Sequence, residues 1–273
     1  MTRWMALVGR LRGLAGRTVR SVRLELLRHR LWTSRGESTV SIDGLRLRVT
    51  DGPNAYMQYK DEFVRRNYSF ASTRANPVVI DGGANMGMFS IATRREHPSA
   101  RITAFEPDPA VFALLRENLH RNGAADVTLI NAALGAARGE TTFTPDGEAG
   151  GALDPRGADR VRVEPLSAYL DDEVDFLKLN IEGAELDVLR EAATAGRLRN
   201  VGAMVIEYHG WPHAEQRLGL ILSLLDAEGF RYLVHDFDEQ TNPATKPPFT
   251  PPGDSPWFAL VYAWRVDRQA SGA

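Results

Sequence analysis

Residues 78 to 90, VVIDGGANMGMFS, pass from an apolar run through one acid and three glycines into a helical pattern, and few folds accept that succession. The apolar run reads as a strand ending at Asp81. Gly82, Gly83 and Gly87 permit a tight turn and let backbone come close to a ligand, while the helix that follows offers free N–H groups at its start. Such a turn is a nucleotide-type cradle. The chain beyond it alternates strand 78–81, helix 86–95, strand 101–105, helix 109–121 and strand 127–130, then strand 175–180, helix 184–195, strand 202–207, helix 213–228 and strands 230–236 and 257–264. Alternation of this kind builds an α/β domain on a mostly parallel sheet, with ligand sites along the carboxyl ends of the strands.

Which nucleotide the cradle suits is decided by charge. A dinucleotide fingerprint wants glycine at positions 82, 84 and 87, and Ala84 stands where backbone must approach a pyrophosphate. A carboxylate repels a pyrophosphate and attracts a sulfonium or an ammonium, so Asp81 favours S-adenosylmethionine over a nicotinamide dinucleotide. The next strand, RITAFEPDP, ends at Glu106, where a carboxylate is placed to accept hydrogen bonds from ribose hydroxyls. Simpler roles exist for each residue. Gly82 and Gly83 suit a plain loop turn, and Glu106 suits a cap for the helix beginning near Pro109.

Through VIDGGANMGMFS, ITAFEPDPAVFALLRENLHRNG, LINAALG, VEPLSAYL, FLKLNIEGAELDVL and VIEYHG, from about Pro77 to about His209, the sequence resembles the FkbM family of methyltransferases. Six motifs in order are far more specific than a glycine pattern alone. The resemblance implies a class I Rossmann-like methyltransferase fold with a final antiparallel strand. It also implies methyl transfer from S-adenosylmethionine to oxygen, commonly on sugars or polyketide-type natural products. Asp81, Gly83, Asn85 and Gly87 would surround the methionine part, Glu106 the ribose, and Asn131 with Ala132 the adenine. Gly82 and Pro107 adjoin these positions and complete the candidate cofactor residues. Nothing outside this span is explained by the resemblance.

Methyl transfer from a sulfonium is an in-line displacement on an electrophile already activated, so orienting the acceptor oxygen supplies much of the rate. A base helps when the acceptor is an alcohol. Strand 175–180 supplies Lys178 and Asn180 with Glu182 just beyond, and strand 202–207 ends at Glu207 with His209 just beyond. His209 is the best single candidate for base, because imidazole titrates near neutrality. Glu182 and Glu207 suit orienting that ring, binding substrate hydroxyls, or holding a divalent metal together with it. Glu182 equally suits a cap on helix 184–195. Similar sequences of the family usually read lysine, aliphatic, aspartate, aliphatic, glutamate here, and Asn180 replaces the aspartate. The lost charge weakens a metal or base role at that position, and a divalent metal is not favoured.

Residues 1 to 35 hold nine Arg and one acid, Glu25, so this stretch carries +8 and the remainder −10 within a net charge of −2. Trp4, Val8, Leu11 and Ala15, then Val19, Val22 and Leu26, fall at helical spacing with Arg on the other faces. An amphipathic segment over 1–36 suits packing on the main domain, a homodimer contact, or attachment to an anionic membrane surface. Residues 39–49 alternate around Asp43-Gly44 and read as a hairpin, so 37–76 is a hairpin and helical lead-in and 77–268 the Rossmann-like domain. Residues 144–160 and 241–256, rich in Gly, Pro and Asp, read as surface loops.

The sequence has no Cys, which excludes disulfides, thiolate metal sites and cysteine nucleophiles. The near-neutral balance argues against a nucleic-acid partner. No apolar run approaches the roughly 18 residues of a membrane span, and Arg10, Arg12 and Arg17 interrupt any signal-peptide core. A cytoplasmic protein is expected, with peripheral membrane contact open. Two other functions compete with methyl transfer to a small-molecule hydroxyl. An NAD(P)-dependent oxidoreductase is disfavoured by Asp81 and Ala84, and Tyr56-x-x-x-Lys60 precedes the glycine turn. A non-catalytic binding protein on the same fold is encouraged by Asn180 alone. Tyr208, Trp211, Phe237 and Trp257 lie near strand ends and suit either stacking on a ring or ordinary packing, so acceptor and regiochemistry stay open.

Overall fold

Strands β3 (Val78–Gly82), β10 (Val174–Leu179) and β11 (Val201–Gly210) are dense in branched apolar residues, as strands buried on both faces must be. The computed structural model describes residues 22–33, 36–144, 152–153, 159–212, 214–235 and 256–266. These strands join β4 (Arg101–Phe105), β5 (Thr128–Ile130), β12 (Arg231–His235) and β13 (Trp257–Trp264) in one seven-stranded sheet of order β12-β13-β11-β10-β3-β4-β5. β11, β10, β3, β4 and β5 run parallel, and β13 lies antiparallel between β11 and β12. The expected α/β sheet with a final antiparallel strand is therefore present, and its strand order is that of a Rossmann-like methyltransferase.

Alternation along each strand sends neighbours to opposite sides. Val79, Phe176, Val205 and Leu260 pack on one face with Met88, Phe89 and Ile91 of α3 (Met88–Glu96) and Leu115 and Leu119 of α4 (Pro109–Arg121). Ile80, Leu177, Ile206 and Val261 pack on the other with Leu186 and Leu189 of α5 (Glu185–Thr194) and Ile221 and Leu225 of α6 (Leu218–Ala227). The start of α4 is built as its sequence suggests: Asp108 accepts from the backbone N–H of Ala110 and Val111, and Pro109 takes the first helical position.

The hairpin forms from β1 (Ser38–Ile42) and β2 (Leu45–Val49) around Asp43-Gly44. The free edge of β2 is closed by two carboxamides from α4. Asn118 and Asn122 each accept from and donate to the β2 backbone, at Arg48 and Arg46, over 2.7–3.0 Å. The lead-in is α2 (Gly52–Tyr59), continued as one π-helical stretch from Lys60 to Arg65. Hairpin, lead-in and the described part of the first helix, α1 (22–33), share the core with α3 and α4. In that helix Leu27 and Leu31 are the buried side chains, whereas Val22 and Leu26 are exposed. The inward face thus differs from the one the spacing suggested, because burial follows Leu24, Leu27 and Leu31, three and four residues apart. Residues 1–21 lie outside the described part.

One element was not expected. Around the expected loop 144–160, of which 145–151 and 154–158 lie outside the described residues, β6 (Ala133–Gly135), β7 (Gly139–Thr144), β8 (Ala152–Leu153) and β9 (Asp159–Pro165) form a second sheet of order β6-β9-β7-β8. Among the described residues no helix is long and apolar enough to cross a membrane.

Candidate active site

The glycine-rich turn connects β3 to α3 at the sheet's carboxyl edge. Gly83 adopts φ +77, and a Cβ there would stand 1.8 Å from the carbonyl oxygen of Asn180, so the ends of β3 and β10 touch backbone to backbone. Asn85 also takes a positive φ of 49, which its short amide tolerates by accepting from the N–H of Met86 at 2.7 Å. Lys178 of β10 fixes the turn from below. Its Nζ donates to the carbonyl of Gly83 at 2.8 Å and pairs with Asp81 Oδ1 at 3.1 Å.

Asp81 is fully enclosed, and its second oxygen accepts the Ser90 hydroxyl at 2.7 Å. Attraction of a cationic ligand by Asp81 requires an open carboxylate, whereas here the carboxylate is paired with the Lys178 ammonium. Glu106 is placed differently. It ends β4 with one oxygen accepting Asn85 N–H at 2.9 Å and the other Asp108 N–H at 3.0 Å. Burial pushes its pKa up to about 7, against the lowering effect of those two hydrogen bonds. Asn131 donates to the carbonyls of Glu106 and Pro107, at 2.8 and 3.0 Å, so it holds the chain that presents Glu106. Ala132, which follows it, is fully buried. Asp81, Gly82, Gly83, Asn85, Gly87, Glu106, Pro107, Asn131 and Ala132 therefore lie along one stretch of the sheet edge.

At the ends of β10 and β11 a second group assembles. His209 lies within β11, opposite Phe258 of β13, because pairing with β13 carries the strand to Gly210 beyond its expected end at 207. Its Nε2 is 3.4 Å from Glu182 and 3.8 Å from Glu207, and its Nδ1 is 3.8 Å from Glu185. Burial, the largest influence, favours the neutral ring, but the three carboxylates together outweigh it and raise the pKa above the ordinary imidazole value. Among the described residues His209 Nδ1 has no hydrogen-bond partner. Trp211 stacks on the ring at 5.7 Å and Phe258 meets it edge-on at 5.1 Å.

Ala184 stands at the N-cap of α5 with no side-chain cap, and Glu185, the first helical residue, folds back to accept the N–H groups of Ile181 and Gly183, both at 3.1 Å. Glu182 is thus not the cap. It sits at φ +55, a left-handed conformation that costs a non-glycine residue roughly 1 kcal/mol or more and is common at functional sites. A cavity of about 360 Å³ opens here, lined by Glu182, His209, Trp211, Arg217 and neighbours, a size suited to a small ligand. Among the described residues no group of three or more His, Asp or Glu side chains is arranged to hold a metal ion. Of the aromatics, Trp211 is on the cavity, Tyr208 is buried and accepts the N–H of Arg217 at 2.9 Å, and Trp257 packs on Tyr208. Phe237 lies outside the described residues.

Two residues of the site came from a part of the chain that the sequence left silent. Tyr68, beyond the lead-in helix, is buried and donates its hydroxyl to Glu207, whose same oxygen accepts Asn180 Nδ2 at 3.1 Å. Its ring lies 6.0 Å from Lys178 Nζ. Glu62, from the π-helical stretch, is buried near Lys178 and Asp81, and burial pushes its pKa well up. No pattern around either residue announces this role, since the contact to Glu207 spans 139 residues.

In sequence the chain is similar to known methyltransferases. A family model described as the methyltransferase FkbM domain matches residues 81–232, more than half of the chain. The methyltransferase sdnD of Sordaria araneosa is 31% identical over 172 residues, covering 48% of this chain and 66% of its own length. The 31-O-demethyl-FK506 methyltransferase FkbM of Streptomyces tacrolimicus is 29% identical over 220 residues, covering 64% and 82%. The match therefore spans just under two thirds of the Sordaria relative. Among solved structures, M. jannaschii TYW2 in complex with AdoMet superposes with a TM-score of 0.45 at 14% identity, over 85% of this chain and 88% of that one.

Proposed function

This chain belongs to the FkbM methyltransferase family, and from that premise we propose that it is an S-adenosylmethionine-dependent O-methyltransferase acting on a hydroxyl of a sugar, glycoside or polyketide-type molecule. The observation that carries the reading is His209, a buried imidazole among three carboxylates that lines a cavity of about 360 Å³, one strand removed from the glycine turn. The name of the Streptomyces relative, a 31-O-demethyl-FK506 methyltransferase, supports oxygen as the methylated atom.

The residues present fit the methyl donor. Each Glu106 oxygen already holds one backbone N–H and keeps a further lone pair for a ribose hydroxyl. The turn from Gly83 to Gly87 brings backbone to the ligand side, and Lys178 keeps it in place. When bound, S-adenosylmethionine supplies a methyl group on a sulfonium. The His209 imidazole takes the proton from the acceptor hydroxyl, and Glu182, Glu185 and Glu207 stabilise the imidazolium that results. Trp211 and Phe258 flank the ring and limit its contact with water.

The test is calorimetric titration with S-adenosylmethionine, S-adenosylhomocysteine and NAD, followed by a mass-spectrometric screen of hydroxyl compounds for products heavier by one methylene. Uptake of the first two without the third is expected. Uptake of NAD alone would overturn the reading in favour of an oxidoreductase.

A further inference from the structure

Asn180 occupies the joint between the two halves of the sheet edge. Its backbone N–H donates to the carbonyl of Gly82 at 3.0 Å, and its carbonyl touches Gly83, so its side chain starts from a fixed point beside the turn. Nδ2 donates to Glu207 Oε2 at 3.1 Å. Because an ionised carboxylate only accepts, that contact settles which end of the carboxamide faces Glu207. Oδ1 is thereby turned the other way, buried and without a hydrogen-bond partner among the described residues. A buried amide oxygen without a donor costs on the order of 1–3 kcal/mol, and such atoms are rare in folded chains unless a ligand supplies the partner. The Tyr68 hydroxyl, also donated to Glu207, holds the carboxylate that aims the amide.

We propose that Tyr68, Glu207 and Asn180 form a fixed hydrogen-bonded chain whose open end, Asn180 Oδ1, accepts an N–H or O–H donor from a bound ligand. Two sources carry that chemistry at this joint: the methionyl ammonium of the methyl donor, on the Gly83 side, and the hydroxyl of the acceptor, on the His209 side. The inference rests on the methyltransferase reading. It also accounts for asparagine at this position. Asparagine gives Glu207 a donor at 3.1 Å and keeps an acceptor for the ligand, two roles that an ionised aspartate, which only accepts, does not combine. Tyr68 and Glu207 act through Asn180 and are positioning residues.

The experiment is calorimetry on the full chain and on Asn180→Leu, which keeps the shape and removes the acceptor, with Tyr68→Phe as a second variant that keeps the ring and frees Glu207. The probes are S-adenosylhomocysteine, which carries the ammonium, 5′-methylthioadenosine, which lacks it, and methyl α-D-glucopyranoside added to protein saturated with S-adenosylhomocysteine. Loss of about tenfold or more in affinity for S-adenosylhomocysteine, with 5′-methylthioadenosine unchanged, supports the proposal with the ammonium as donor. Unchanged nucleoside binding with loss of the glycoside supports it with the acceptor hydroxyl. Tyr68→Phe is expected to lose the same probe by a smaller factor. Equal affinities of wild type and both variants for all three probes overturn the inference alone, as does a uniform loss for both nucleosides, which would mean a collapsed site. Failure of the wild type to take up either nucleoside overturns the methyltransferase reading and this inference with it.

Discussion

At the ends of β3 and β4 the buried polar side chains find partners within the chain, as Asp81 does with Lys178 and Ser90, and Glu106 with two backbone N–H groups. At the ends of β10 and β11 two buried atoms, Asn180 Oδ1 and His209 Nδ1, have none among the described residues. The first half of the edge is held by pairing within the chain and keeps a shape; the second carries two polar atoms with no hydrogen bond of their own among the described residues. The difference matches the two tasks of a transferase. A cofactor cradle gains from rigidity, while a proton acceptor must leave a lone pair free.

His209→Ala is the most severe way to break this comparison. It should lower methyl transfer by about two to four orders of magnitude and leave S-adenosylhomocysteine affinity near wild type, as rate assays and calorimetry would read. A matching loss of nucleoside binding would show that the two halves are not separable. Lys178→Met attacks the first half instead. It strands a fully buried Asp81 and should destabilise the fold by about 3–5 kcal/mol in urea unfolding. Adding Asp81→Asn should recover much of that loss, and failure to do so would mean that Lys178 matters chiefly through the Gly83 carbonyl.

The mildest test uses pH alone. Glu106 in the free protein loses its proton at about 7, above the ordinary glutamate value of 4.5, because it is buried. The ionised form is the one that accepts both ribose hydroxyls, so nucleoside binding favours proton release. Affinity for S-adenosylhomocysteine should climb roughly five- to tenfold between about pH 6 and about pH 8, then level off. A flat profile in that window would place the ribose elsewhere.

Much of this arrangement was legible in the residues, and the exceptions share a cause. Val78–Gly82 and Met88–Glu96 follow directly from VVIDGGANMGMFS, since strand, turn and helix are each specified within a few positions. Asp108 and Pro109 likewise mark where α4 begins. The second sheet was missed because GETTFT and DRVRVEP carry little apolar content and flank a stretch dense in Gly, Pro and Asp. His209 was expected after its strand, and only the partner strand β13, 49 residues further on, extends β11 to include it. Asp81 and Glu106 read alike as acids at strand ends, yet one is paired with a lysine 97 residues away and the other is hydrogen-bonded by nearby backbone N–H groups. Tyr68 reaches Glu207 across most of the domain. Local pattern thus specifies elements, whereas the protonation and pairing of a site depend on contacts that no window spans.

The paired carboxamides of Asn118 and Asn122 have a bearing on how the polypeptide matures. They occupy the outer side of β2 from positions 70 and 76 residues downstream of their partners, in place of a third strand. A ribbon of two strands is marginal in water and its bare side invites pairing with other chains. During synthesis, then, the outer side of the ribbon stays bare until α4 has emerged to cover it.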